Sequence, residues 1–112
     1  MKYMMLVCVD PSIPAGGAED APGGYDIDTW VAEMDGRGVR QEGHPLPVSD
    51  ATTVRVRRGE ILLTDGPFIE AKEFMAGYDI LECADLDEAI EVASKHPLAR
   101  CGAMELRPFP GD

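Results

Sequence analysis

Positive charge is scarce in this chain. Against 21 Asp and Glu it sets only 10 Lys and Arg, for a formal net charge of −11 at pH 7. Such a surface repels phosphate backbones and anionic bilayers, which excludes nucleic-acid binding and acidic-membrane docking as main activities. Cysteine is scarce too. Cys8, Cys83 and Cys101 are odd in number and form no C-x-x-C pair. Zinc clusters and disulfide frameworks are thereby excluded. Each stands in or beside an apolar run, where a free Cys serves as a small hydrophobe. Long apolar runs are missing. Tyr3 to Val9 is closed by Asp10-Pro11, far short of the ~18 residues that span a bilayer. No small-residue cleavage pattern follows it, so a soluble cytoplasmic protein is expected. His44 and His96 are not at metal-ligand spacing, and no glycine pattern links a strand to a helix. No metal and no cofactor is expected.

What is present suffices for one compact unit. The 112 residues and 12.1 kDa predict a single domain over 1–112 that buries about two-thirds of its surface. Residues 2–9 read as a buried strand, and the Pro-, Gly- and Ala-rich stretch 10–24 as a mobile loop. Ile27, Trp30, Val31 and Met34 repeat at helical spacing, with Asp26 as N-cap and Gly36 or Gly38 as the stop. Pro45 and Pro47 bar a central strand from 39–50. Thr52 to Arg57 alternates, Arg58-Gly59-Glu60 turns, and Ile61 to Thr64 returns, which predicts a β-hairpin. Residues 75–82 read as a strand. Residues 86–96 read as a second helix, with Leu86, Ala89, Ile90 and Ala93 facing the core and Lys95 and His96 as cations at its C-terminus. Residues 102–107 alternate as a last strand.

The order is βα, hairpin, βαβ, an α+β sandwich with both helices on one face of the sheet. Two short helices cover only one face, yet the first strand is apolar on both. A second copy is the economical cover, which predicts a homodimer with stacked sheets. In the last strand Met104 and Leu106 share one face, and Glu105 and Arg107 the other. Such mixed lining suits a small-molecule cleft.

The stretch Thr64-Asp65-Gly66-Pro67-Phe68-Ile69-Glu70-Ala71-Lys72-Glu73 resembles the signature of the YCII-related family in its DGPF branch. The flanks Thr53-Val54-Arg55, Ala76-Gly77-Tyr78, Asp87-Glu88-Ala89-Ile90 and Glu105-Leu106-Arg107-Pro108 agree with it. The resemblance spans Tyr3 to Pro108. It implies a ferredoxin-like βαββαβ fold, here with an extra β-hairpin, that dimerises into an α+β barrel. For function it implies either lyase-like chemistry on small molecules, chlorinated aromatics among them, or a sensory or interaction module in an extracytoplasmic-function sigma factor pathway. The wider family also places a dyad histidine on its first helix, and helix 26–36 here carries none.

Two readings stay open for each candidate residue. Asp65-Gly66 is an ordinary turn pair, or a turn that aims Asp65 into a cleft as a catalytic base. Gly66, Pro67, Phe68 and Glu70 read as the structural part of the motif. Lys72 and Glu73 read as solvated ions or ligand contacts, with Lys72 as an anion partner. Tyr78 could wall a cleft and stack a planar ring, and Arg107 could clamp a carboxylate or pair with Glu105. Arg55 and Arg57 read as charges protecting a hairpin edge. The ligand expected is small and anionic or aromatic.

Overall fold

A computed structural model describes residues 1–13, 24–66 and 74–111. Six strands run over Lys2–Val9 (β1), Arg40–Pro45 (β2), Thr52–Arg57 (β3), Glu60–Asp65 (β4), Phe74–Glu82 (β5) and Gly102–Pro108 (β6). Two α-helices cover Ile27–Gly36 (α1) and Leu86–Ser94 (α2), and short 3-10 turns cover Val48–Asp50 and Pro97–Arg100. Residues 14–23 of the expected loop lie outside the described part. So do Pro67, Phe68, Glu70, Lys72 and Glu73 of the motif.

Four strands form one antiparallel sheet in the order β2-β5-β1-β6, the order of a ferredoxin-like α+β fold. Among the described strands β3 and β4 pair with each other as a separate two-stranded sheet, from Thr52↔Asp65 to Arg57↔Glu60. Their turn is Arg58-Gly59, both at positive φ. Residues 40–45, unreadable by pattern, are a strand after all. They lie at the sheet edge and end on Pro45, where a missing N–H costs no ladder bond.

Local chemistry sets the helix ends. Asp26 accepts from the Thr29 N–H at 2.8 Å and Asp85 from the Glu88 N–H at 2.9 Å, each relieving an orphan donor. The Glu88 side chain reaches back to the Ala84 N–H at 2.8 Å, one residue short of a full capping box. Helix α1 ends in paired bonds from Gly38 N to Asp35 O and from Val39 N to Met34 O, both 3.1 Å, the Schellman arrangement.

Tyr3, Met5 and Val7 of β1 face the helices with Leu81 of β5, and close on Trp30, Met34, Ala89, Val92 and Ala93. The indole N–H of Trp30 donates to Val92 O at 3.0 Å, which locks α1 to α2. Outside the core Arg37, the C-cap of α1, bridges to Glu88 and Glu91 of α2. These contacts set the roll of α2. Val92 is buried, whereas Leu86 and Ile90, expected inside, are half-exposed. Cys83 and Cys101 are buried free thiols, and Cys8 is partly buried. No helix among the described residues is long and apolar enough to cross a membrane.

Trp30 is fully buried and ties two helices together. Replacing it with Ala removes its burial and leaves a cavity, for a loss of about 3–5 kcal/mol. Urea unfolding followed by circular dichroism checks this. A loss under about 1 kcal/mol would show that the indole is not the keystone described.

Candidate functional site

Cross-strand partners share a sheet face. Met5 pairs with Asp79 and Gly43 with Asp79, so Asp79 and Gly43 face the helices with the core. Leu6 pairs with Tyr78 and His44 with Tyr78, so those side chains take the face away from the helices. The β2 register slips between Arg40 and Glu42, a bulge that leaves Gln41 unpaired. Without it Arg40 would share the face of Glu42. With it Arg40 turns toward the helices and reaches Asp79.

The result is a charged pair under α1. Arg40 Nε donates to Asp79 Oδ1 at 2.8 Å, its NH2 group donates to Gly43 O at 3.2 Å, and its NH1 group to Asp35 Oδ1 at 3.2 Å. Asp79 is buried, with 6% of its surface exposed. Burial raises its carboxyl above the usual range, and the Arg40 charge only partly offsets this. Burial also works against the Arg40 charge, but Asp79 and Asp35 outweigh it and shift its pKa upward. Among the described residues only Arg40 hydrogen-bonds the Asp79 side chain, through Oδ1. Gly43 is required by close approach. A Cβ there would lie 2.0 Å from Asp79 Oδ1 and 2.5 Å from the Arg40 guanidinium.

The pair opens onto a cavity of about 200 Å³ between α1, the β2–β5 end of the sheet and the 97–100 turn. Ile27, Trp30, Val31, Val7 and Leu98 give it apolar walls, and His96 lines it. His96 does not cap α2 as a cation. That helix ends at Ser94, and His96 starts the next turn, where its Nδ1 accepts from the Leu98 N–H at 3.1 Å. Its ring packs on Trp30 at 4.7 Å between centroids. Burial pushes its pKa down to about 4, so at neutral pH the ring is uncharged. With Nδ1 accepting, Nε2 carries the proton and is a donor.

The expected site residues are scattered. Asp65 is exposed at the end of β4 and does not line this cavity. Its partner Gly66 takes φ +103, sends its N–H to Ala51 O at 2.8 Å, and accepts from the buried Thr53 hydroxyl at 2.8 Å. Asp65-Gly66 therefore closes the base of the hairpin. Tyr78 is the exception: it is half-buried and lines this cavity, while its hydroxyl donates to Glu42 Oε2 at 2.8 Å on the face away from the helices. His44, expected in a loop, sits on β2 beside that ring. Arg107 is exposed and bonds Glu105 of its own strand, not across strands. Gly66 is described, but Pro67, Phe68, Glu70, Lys72 and Glu73 are not. Sequence reading missed Asp79, Arg40 and the buried state of His96. One signal was available, since Asp79 interrupts the apolar strand Gly77 to Leu81 at a core-facing register position.

Lowering of the His96 pKa gives stability that is complete above the unfolded value near 6.5 and lost as pH falls toward about 4. Asp79 acts oppositely. Its raised pKa favours the fold at low pH and that contribution fades as pH rises through it. Replacing His96 with Gln removes the first effect alone. Between pH 6.5 and 4 the native protein loses about 3 kcal/mol more than His96→Gln in urea titrations. Parallel curves for the two would mean that His96 titrates normally.

The family described as the YCII-related domain matches residues 1–109, and the chain belongs to it. An uncharacterized protein of Rhizobium meliloti (strain 1021) is 40% identical over 66 residues, covering 57% of this chain and 53% of that protein. The match thus spans about half the length of that relative.

Proposed function

We propose that this YCII-related protein is a homodimer that binds a small, largely apolar molecule under α1 and moves a proton on it. The observation that carries the reading is a buried carboxylate, Asp79, held by Arg40 through one oxygen and lining a cavity. Burying an ion pair costs several kcal/mol per charge before its own attraction is counted, and apolar packing would be the cheaper filling. A raised carboxyl pKa brings a general base closer to neutrality. Across the same cavity the uncharged His96 offers an N–H donor.

The chemistry that fits is of isomerase or lyase type. Asp79 takes a proton from carbon next to a carbonyl, and the electron pair moves onto the carbonyl oxygen. An N–H donor such as His96 stabilises that oxyanion. Return of the proton to a neighbouring carbon completes an isomerisation, and expulsion of a leaving group with its bonding pair completes an elimination. Neither path needs an oxidant. Of the two ligand classes expected, an uncharged ring is favoured over an anion. Arg40 already faces two carboxylates, and Asp79 would repel a third. The dimer is supported by the apolar side chains Met4, Leu6 and Ile80, half-buried on the sheet face away from both helices.

Trp30 is the sole tryptophan and walls the cavity, so its indole NMR signal reports occupancy. Titration with phenol, a neutral ring, is expected to shift that signal saturably, and benzoate to shift it much less. Asp79→Asn loses a charge-assisted hydrogen bond and weakens phenol roughly ten- to hundredfold. Equal affinity of the native and Asn proteins, or preference for benzoate, would reject the site as described.

A further inference from the structure

The β3–β4 hairpin has no place in that chemistry and an unusual surface. Cross-strand pairing puts Val54 with Leu63 and Val56 with Ile61, so these four share one face. They are 60%, 68%, 58% and 70% exposed. A lone two-stranded sheet is marginal in water, and one with an unburied apolar face is an invitation to pair. The base of this one is anchored by the Gly66 and Thr53 bonds. Its far end carries Arg57 and Arg58, both exposed.

We infer that this hairpin is an exchanged arm, whose apolar face and basic tip clasp the uncovered sheet face of a second copy of the chain. Three observations select that occupant. The first is area. Val54, Val56, Ile61 and Leu63 keep 58–70% of their surface open on one contiguous face among the described residues, and a patch of that kind marks an association surface. The second is charge. The tip carries Arg57 and Arg58 against Glu60, and Arg55 and Arg57 stand on the face opposite the valines, so the tip rather than the apolar face brings the positive charge, in a chain of net charge −11. The third is the receiving surface. The face away from the helices has an apolar centre of Met4, Leu6 and Ile80. Glu42, Glu82 and Glu105 stand around it, against Lys2 and Arg107. Each copy owns both the arm and the seat, so a twofold axis closes the assembly with two arms.

The inference rests on the dimer half of the proposed function and adds the arm to it. Sedimentation equilibrium of the full chain, with the double variant Val56→Asp, Ile61→Asp, separates the two. The native protein is expected to be a dimer at micromolar concentration, and the variant at least a hundredfold weaker in self-association. Arg57→Glu with Arg58→Glu leaves the apolar face intact and is expected to weaken the dimer about tenfold, with a changed salt dependence. Circular dichroism and the Trp30 signal of both variants are expected to stay native, because the altered positions are exposed. Should the aspartate variant prove unfolded, hydrogen exchange on the native dimer decides. Amides of 52–65 protected on dimerisation support the arm, and unprotected ones overturn it. A native monomer overturns both arm and dimer. A dimer that ignores both variants overturns the arm and leaves stacked sheets. Phenol binding at the cavity is read independently of either outcome.

Discussion

The contact between Arg40 and Asp79 is made where neither group has much water, and much of the local design follows from keeping it. The carboxylate sits on the core side of the sheet. It is held by a guanidinium from the edge strand, and that guanidinium is itself held by Asp35 and the Gly43 carbonyl. Three sequence features serve that geometry. A bulge at Gln41 turns Arg40 inward. A glycine at 43 leaves room for the carboxylate. An edge position lets β2 bend without disturbing the centre of the sheet. A charge kept in such a place, where apolar packing would be cheaper, is not there for stability alone.

The same contact explains why the cavity is asymmetric. Its apolar walls come from Ile27, Trp30 and Val31 of α1, Val7 of β1 and Leu98. Its polar lining includes Asp79 and Arg40, the uncharged His96, and also His44 and Tyr78. The neutral state of His96 comes from its burial against Trp30, and Trp30 is held in turn by the Val92 carbonyl. The bond that locks the two helices therefore also shapes the site. Stability and function share residues here, and changes at Trp30 will not separate them cleanly.

The motif most conspicuous in the sequence plays a different part. Asp65-Gly66 joins the hairpin to its base, and Asp65 stays in solvent. The turn reading of that pair agrees with its geometry, because glycine at φ +103 is what such a turn needs. The hairpin it closes is the most exposed apolar feature among the described residues.

Much was legible without coordinates. Periodicity placed β1, both helices and the hairpin within a residue or two, because each buries or alternates its own apolar side chains. Capping chemistry placed Asp26 at the start of α1. The strand at 40–45 was not legible, since an edge strand of Arg, Gln, Glu, Gly, His and Pro carries no apolar alternation. Nor was the site. Arg40 and Asp79 are 39 positions apart, and only a bulge and a β2–β5 register bring them together. His96 looked like a helix-end cation because its burial comes from Trp30, far away in sequence. Local patterns thus determined the elements and their order, as they depend on neighbours along the chain. The sheet alone decided which charges meet, since strand pairing and a single slipped residue choose the face on which each side chain stands.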